Sequence, residues 1–136
     1  MKKLTLSIIL VLLSAFGFAQ SIYKFRSTDL AYQYYDSYYG SWSSWSDWQS
    51  TSVLIVIDLY KERITIYSSE LQQYDIYENY DERIDSDGDY VNEFRAIDQD
   101  GIRCGIRFIT NDNTSRSQIY IDYSDMRWVY NVYSLD

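Results

Sequence analysis

Histidine and proline are absent from this 136-residue chain, and cysteine occurs once. Without histidine, the sequence excludes Ser-His-Asp and Cys-His catalytic arrangements, histidine zinc sites and the commonest general base. Glycine-rich phosphate loops and the G-x-S-x-G nucleophile motif are also missing. Cys104 cannot form an internal disulfide, and its alternating apolar surroundings predict a buried thiol. We therefore expect a protein without catalytic activity.

Carboxylates are the site chemistry that remains, since the chain has 20 Asp and Glu residues. Two carboxylates at a set separation are enough for glycoside hydrolysis, so a carboxylate-based hydrolase stays open as an alternative. The motif formed by Asp85, Asp87, Gly88 and Asp89 resembles the start of an EF-hand calcium loop. An EF-hand has glycine sixth and glutamate twelfth, whereas here glycine is fourth and Ala96 twelfth. A plain acidic hairpin tip is the favoured interpretation; we expect no cofactor, and calcium is the alternative.

Residues 1–19 have the pattern of a secretory signal peptide. A basic start precedes an uncharged apolar run, and Gly17 and Ala19 are the small residues expected before a cleavage site. An uncleaved membrane anchor is the alternative, but a spanning helix needs about 20 apolar residues and this run ends before Gln20. The prediction is an exported protein, periplasmic or extracellular, with one β domain at 20–136 and no membrane span after signal cleavage.

The chain is acidic, with 12 Lys and Arg against 20 Asp and Glu and a net charge of −8. Cleavage would remove Lys2 and Lys3 and leave a still more acidic domain. Such a domain repels nucleic acid and anionic lipid headgroups, so we expect no nucleic-acid partner. It is better suited to attract cations or a basic partner.

The chain is rich in Tyr, Ile, Val and Thr, which favour strands. Alternation of apolar and polar residues also predicts an all-β fold. Asp-Gly and Asn-rich segments between the alternating runs indicate hairpin turns. Strands are predicted near 22–35, 42–48, 52–60, 63–68, 72–80, 89–98, 102–110, 116–123 and 126–134. Their short connections favour an antiparallel up-and-down barrel or meander of about eight strands, with a β-sandwich as the alternative. An outer-membrane barrel would need a continuous apolar outer band, whereas many strands here carry charge on both faces.

Three of the four tryptophans, Trp42, Trp45 and Trp48, follow one another at intervals of three in the stretch GSWSSWSDW. Trp42-Ser-Ser-Trp-Ser resembles the WSxWS box of class I cytokine receptors, and the three tryptophans together resemble the WxxWxxW run of thrombospondin type 1 repeats. Both resemblances imply tryptophans stacked with arginines in a cation–π ladder. They cover seven residues, and both families are disulfide-bonded, which this chain cannot be.

The partners expected for these indoles are Arg103 and Arg107, which lie four apart on one face of a predicted strand. Three-residue spacing puts all three indoles on one side of a polyproline-like segment, whereas in a regular strand Trp45 would point away. Packing of the rings in the barrel core is the other interpretation that the sequence allows.

Across the whole mature chain, the order of "WSDW", "VLIVIDLYKERITIYS", "DQDGIRCGIRF" and "RWVYNVY" resembles that of uncharacterised small exported aromatic-rich β-proteins of gram-negative bacteria. This resemblance implies export and a β fold, and it implies no activity.

The 16 tyrosines are too many for the core of one small domain, so several must be exposed. Exposed Tyr and Trp supply rigid amphipathic contact area for sugar rings or protein partners. We predict a non-catalytic binding module with an aromatic surface for a glycan or an exported protein. Its expected residues are Trp42, Trp45, Trp48, Tyr34, Tyr38, Arg103 and Arg107. The alternative is a structural or inhibitory protein of the cell envelope with no small ligand.

Overall fold

A computed structural model describes residues 21–111, 113 and 116–136. Within this part of the chain the structure is all-β and has no helix. The strands are β1 Ile22–Asp36, β2 Ser41–Trp42, β3 Gln49–Ser50, β4 Leu54–Asp58, β5 Arg63–Ile66, β6 Gln72–Asn79, β7 Arg83–Ile84, β8 Tyr90–Ile97, β9 Arg103–Thr110, β10 Ser117–Asp122 and β11 Met126–Ser134. The predicted signal peptide at 1–19 lies outside the described residues. No helix in the described ranges has the length and apolarity that a membrane crossing requires.

Eight of these strands form a closed antiparallel barrel in the order β1-β4-β5-β6-β8-β9-β10-β11. The barrel closes because β11 pairs with β1, from Phe25 opposite Ser134 to Tyr34 opposite Met126. This ladder confirms the predicted up-and-down barrel and excludes the sandwich. The eight barrel strands begin and end within two residues of their predicted bounds. We call the end with Tyr34 and Met126 the upper end, and the end with Ile22 and Ser134 the lower end.

One predicted strand is wrong. Residues 42–48 form a continuous strand in the prediction, but only Trp42 belongs to a strand, β2, and residues 43–48 are irregular. The two-residue strand β7, which pairs with β8, was not predicted. Regular alternation in the sequence therefore identifies the barrel strands, and the tryptophan stretch follows another pattern.

The middle of the barrel is filled by isoleucines. Six of them have no solvent exposure: Ile55, Ile64, Ile66, Ile106, Ile119 and Ile121. Cys104 packs in the same core and is a free, buried thiol, as expected. Burial raises the pKa of this thiol to about 11, because the thiolate would lose its hydration. The centre of the barrel is therefore a packed apolar layer rather than a channel.

A bulge in β1 separates the lower wall of the barrel from the upper one. Residues 22–26 of β1 pair with β4, and the register of β1 against β11 shifts between Ser27 and Asp29. Ser27 is buried, its Oγ accepts the N–H of Val53 at 2.9 Å and it shares a 2.9 Å hydrogen bond with Thr51. Above the bulge β1 pairs with β3 and β2 instead of β4. The barrel wall therefore opens at its upper end.

Candidate binding site at the upper end of the barrel

Residues 41–50, the tryptophan segment, run beside the upper half of β1 and are attached to it by serines. The N–H of Ser43 donates to the carbonyl of Tyr34 at 2.7 Å, and Ser43 Oγ accepts the N–H of Tyr34 at 3.0 Å. Ser46 makes the same two bonds with Tyr32, at 2.8 and 2.9 Å. The pairing advances three residues along the segment for every two along β1. A regular ladder advances one for one, which is why the strand prediction failed here.

Trp42 and Trp45 project to the same side and contact one guanidinium group. The Cζ atom of Arg127 lies 4.0 Å from the centroid of the Trp42 ring and 5.8 Å from that of Trp45. Arg127 Nε donates to Gln33 Oε1 at 2.7 Å, and Gln33 Nε2 donates to the carbonyl of Ser43 at 2.7 Å. These contacts fix the two indoles against the outer wall of the barrel. A cation–π ladder is therefore present, with Arg127 at its centre.

The two arginines expected in this ladder lie elsewhere. Arg107 stacks on Tyr120 at 4.2 Å and forms a bidentate ion pair with Asp122, at 2.7 and 3.1 Å. Arg103 lies over the Tyr77 ring at 5.6 Å. Arg107 reaches the indoles only through Tyr120, whose ring contacts that of Trp45 at 6.1 Å. The expected pairing of Arg103 and Arg107 with the indoles is therefore wrong.

The remaining predicted residues stay exposed at or near the upper end. Trp45 is 41% exposed and Trp48 is 50% exposed. Tyr34 and Tyr38 are also exposed, at the top of β1 and in the turn that follows it. The seven predicted residues do not form one surface, since Arg103 pairs with Tyr77 on another part of the wall.

An open cavity of about 660 Å³ occupies the upper end, and we call it the upper cavity. Tyr123 and Trp128 stack within it, with centroids 5.6 Å apart and planes at 22°. Tyr32 lines the cavity and also contacts the predicted residue Tyr34 edge to face at 5.4 Å. The exposed aromatic surface is therefore continuous with the cavity. In all, five aromatic side chains line it: Tyr32, Tyr74, Tyr123, Trp128 and Tyr130.

Hydrogen bonds between side chains hold three of the cavity tyrosines in place, Tyr74, Tyr123 and Tyr130. Tyr74 donates to Gln72 Oε1 at 2.6 Å, and Gln72 Nε2 donates to the Tyr130 oxygen at 3.2 Å. Tyr123 donates to Asp98 Oδ2 at 2.7 Å. Burial raises the pKa of Tyr74 and of Tyr123, and the bond to Asp98 raises that of Tyr123 further. Tyr74 and Tyr123 are therefore neutral at physiological pH, and hydrogen bonds link the side chains of the cavity walls.

The charges on the cavity lining are all negative. Its acidic residues are Glu70, Asp98 and Asp100, and none of its described residues is Lys or Arg. Burial disfavours the ionised form of Asp98, but hydrogen bonds from Tyr123 and from the N–H groups of Ile102 and Asp100 outweigh it and lower the pKa. Asp98 is therefore ionised at neutral pH. A neutral or cationic ligand suits this cavity better than an anion.

The calcium candidate, Asp85, Asp87 and Asp89, lies in the tight turn before β8. Carboxylate oxygens of Asp85, Asp87 and Asp89 lie within 4.8 Å of one another. One oxygen of Asp85 accepts the N–H groups of Asp87 and Asp89, at 2.9 and 3.0 Å. The turn at 98–102 has the same bonds and a glycine of similar φ, 81° against 84°, although its fifth residue is apolar. Turn chemistry accounts for the hydrogen bonds of Asp85, whereas the third carboxylate, that of Asp89, has no counterpart in the turn at 98–102. The acidic hairpin tip stays the favoured interpretation and calcium the alternative.

Sequence reasoning did not identify the cavity residues Tyr123 and Trp128. Both belong to alternating runs that predict half-buried strands, and their position at strand ends is the available signal. Searches against protein-family models, curated proteins and solved structures find no match to this chain. The geometry and charge of its own residues are therefore the basis for inferring its function.

Proposed function

We propose that this protein is a non-catalytic binding module that holds a glycan in the upper cavity. The observation that carries the proposal is the stacked pair of Tyr123 and Trp128, which faces an open cavity of about 660 Å³. Small-molecule pockets have volumes of about 300–1,000 Å³ and combine apolar walls with a few polar groups. The proposal keeps the export expected from residues 1–19.

A sugar ring matches both kinds of group on the lining. Its apolar C–H faces pack on indole and phenol rings, and its hydroxyls bond to carboxylates and amides. Glu70, Gln99 and Asp100 supply such polar groups at the cavity, beside the aromatic walls. Because the described lining carries no cation, a neutral glycan fits it better than a sulfated or otherwise acidic one.

The state of Asp98 does not fit the general acid that the hydrolase alternative needs. A glycosidase needs a carboxylic acid with a raised pKa to protonate the leaving group. The pKa of Asp98 is lowered, and both of its oxygens already accept hydrogen bonds from Tyr123 and from backbone N–H groups. This carboxylate is suited to hold the wall of the cavity rather than to transfer a proton.

The test is a glycan array with the labelled domain, followed by calorimetry on each hit. Tyr32→Ala and Trp128→Phe alter the cavity walls, Trp48→Ala removes an exposed indole outside it, and Tyr60→Ala is the control at the lower end. We expect the two cavity variants to raise Kd at least about ten-fold, or about 1.4 kcal/mol, at unchanged fold. Tyr60→Ala should leave Kd unchanged.

Two results would contradict the proposal. An array without hits removes the glycan as ligand. Hits that survive Tyr32→Ala and Trp128→Phe but are lost in Trp48→Ala would move the site to the outer indoles.

A structural or inhibitory role through a protein partner is the second candidate, and one feature favours it. Tyr38 and Tyr39 are 86% and 76% exposed in the turn after β1, and their rings pack edge to face at 4.9 Å. Paired exposed tyrosines are typical of protein interfaces. A single defined partner that is captured by the wild type and lost in Tyr38→Ala would favour this role over glycan binding.

A further inference from the structure

The lower end of the barrel holds a second cavity, of about 300 Å³, which we call the lower cavity. It shares no lining residue with the upper cavity, and the layer of fully buried isoleucines fills the barrel core. Its lining is Tyr23, Phe25, Ile57, Leu59, Asn79, Asn92, Phe94 and Phe108. We propose that the lower cavity is a separate binding site for an uncharged apolar ligand of about two fused rings or an equivalent short alkyl chain.

The walls fit an apolar ligand. No described lining residue is charged, and Phe25 and Phe108 pack with their centroids 5.0 Å apart and planes at 50°. Among the lining side chains, water would find polar partners only in the amides of Asn79 and Asn92 and the Tyr23 hydroxyl, whereas a buried water typically makes about three hydrogen bonds. Filling the cavity with an apolar group releases that water and is favourable.

The volume sets the size of the ligand. An apolar cavity of about 150 Å³ accepts benzene. The lower cavity, at about 300 Å³, has room for roughly twice that, which corresponds to a fused pair of rings. The ligand can enter from solvent, because the lower cavity is partly open.

The charges beside the Asn92 wall disfavour an anionic headgroup at that wall. Asn92 Nδ2 donates to Glu82 Oε2 at 3.1 Å, which places a carboxylate beside the lining. Arg83, the neighbour of Glu82, is neutralised by an ion pair with Glu93 at 3.0 Å. A carboxylate on the ligand would meet Glu82 without a free guanidinium there, whereas a hydroxyl can bond to the Asn79 or Asn92 amide.

The test uses 1-naphthylamine, a neutral dye of two fused rings whose emission shifts to the blue in apolar surroundings, with the whole domain. Leu59→Glu and Asn79→Glu each put a charge on the lower cavity, and Leu71→Glu makes a matched change on the upper one, where Leu71 is 46% exposed. We expect saturable dye binding, a Kd at least ten-fold higher in the two lower variants, and a change below two-fold in Leu71→Glu. Each variant is first shown to melt as the wild type does.

Displacement identifies the ligand class. We expect 1-decanol to displace the dye at lower concentration than decanoate, and a glycan bound in the upper cavity to leave the dye in place. The inference is overturned if the wild type shows no saturable binding, if Leu71→Glu rather than Leu59→Glu abolishes it, or if decanoate competes better than decanol. None of these outcomes depends on glycan binding, so the two proposals can fail separately.

Discussion

Arg127 is the residue through which β11 holds the tryptophan segment, so Arg127→Ala should destabilise the whole domain. The change removes the stacking on Trp42 at 4.0 Å and the weaker contact with Trp45 at 5.8 Å. These cation–π contacts are together worth about 1 kcal/mol at a half-buried site. The change also removes the 2.7 Å bond to Gln33, a charged hydrogen bond worth about 1.5–3 kcal/mol, and leaves the buried amide oxygen without that donor. The expected loss is about 2–4 kcal/mol.

Thermal unfolding followed by circular dichroism measures this loss. A domain of this size loses about 4 °C in Tm per kcal/mol, so Arg127→Ala should melt about 8–16 °C below the wild type. Arg103→Ala is the matched control, because Arg103 is exposed and its cation–π contact is with Tyr77, at 5.6 Å. It should cost no more than about 1 kcal/mol. Arg127→Lys should fall between the two, since it keeps the charge but loses the planar stacking surface and the Nε donor.

The reasoning is refuted if Arg127→Ala lowers Tm no further than Arg103→Ala does. That result would mean that the serine bonds alone hold the tryptophan segment to β1.

Three further predictions concern local chemistry. Glu62 has a φ of 56° in the turn between β4 and β5, so Glu62→Gly should raise Tm by about 2–4 °C relative to Glu62→Ala; equal values would contradict the strain argument. The lowered pKa of Asp98 means that its contribution to stability is present above about pH 4, the ordinary pKa range of Asp, and is lost as pH falls through the folded pKa. Urea midpoints at pH 6 and pH 3 should therefore differ less in Asp98→Asn than in the wild type, and an equal difference would count against it. Cys104, with its pKa raised by burial to about 11, should react slowly at pH 8 with an aromatic disulfide reagent until urea unfolds the chain; fast labelling of the native domain would show that the core opens readily.

The barrel could be predicted from the sequence because most of its strands have a local sequence pattern. Most barrel strands show period-two alternation over four or more residues, and Asp-Gly turns mark two of the hairpins. Residues 42–48 were misassigned because their period is three, and a polar side chain replaces part of the usual ladder at each step.

The site was harder to predict because closure of the barrel creates it. Arg127 meets Gln33 across a separation of 94 residues, which only the pairing of the last strand with the first brings about. The upper cavity exists because β1 leaves β4 at the bulge next to Ser27. Neither the Arg127–Gln33 bond nor the upper cavity has a local pattern in the sequence. Spacing within a strand therefore favours the arginines of β9 as partners of the indoles.

The three-to-two pairing also limits how the tryptophan segment can change in length. Adding or deleting one residue between Ser43 and Ser46 would move the second hydroxyl away from the Tyr32 N–H and turn Trp45 away from Arg127. Inserting a whole Trp-Ser-Xaa triplet would move the segment by two residues along β1, which preserves the inward and outward alternation of that strand. The tryptophan segment should therefore tolerate insertions and deletions in units of three residues, each of which moves its pairing by two residues along β1.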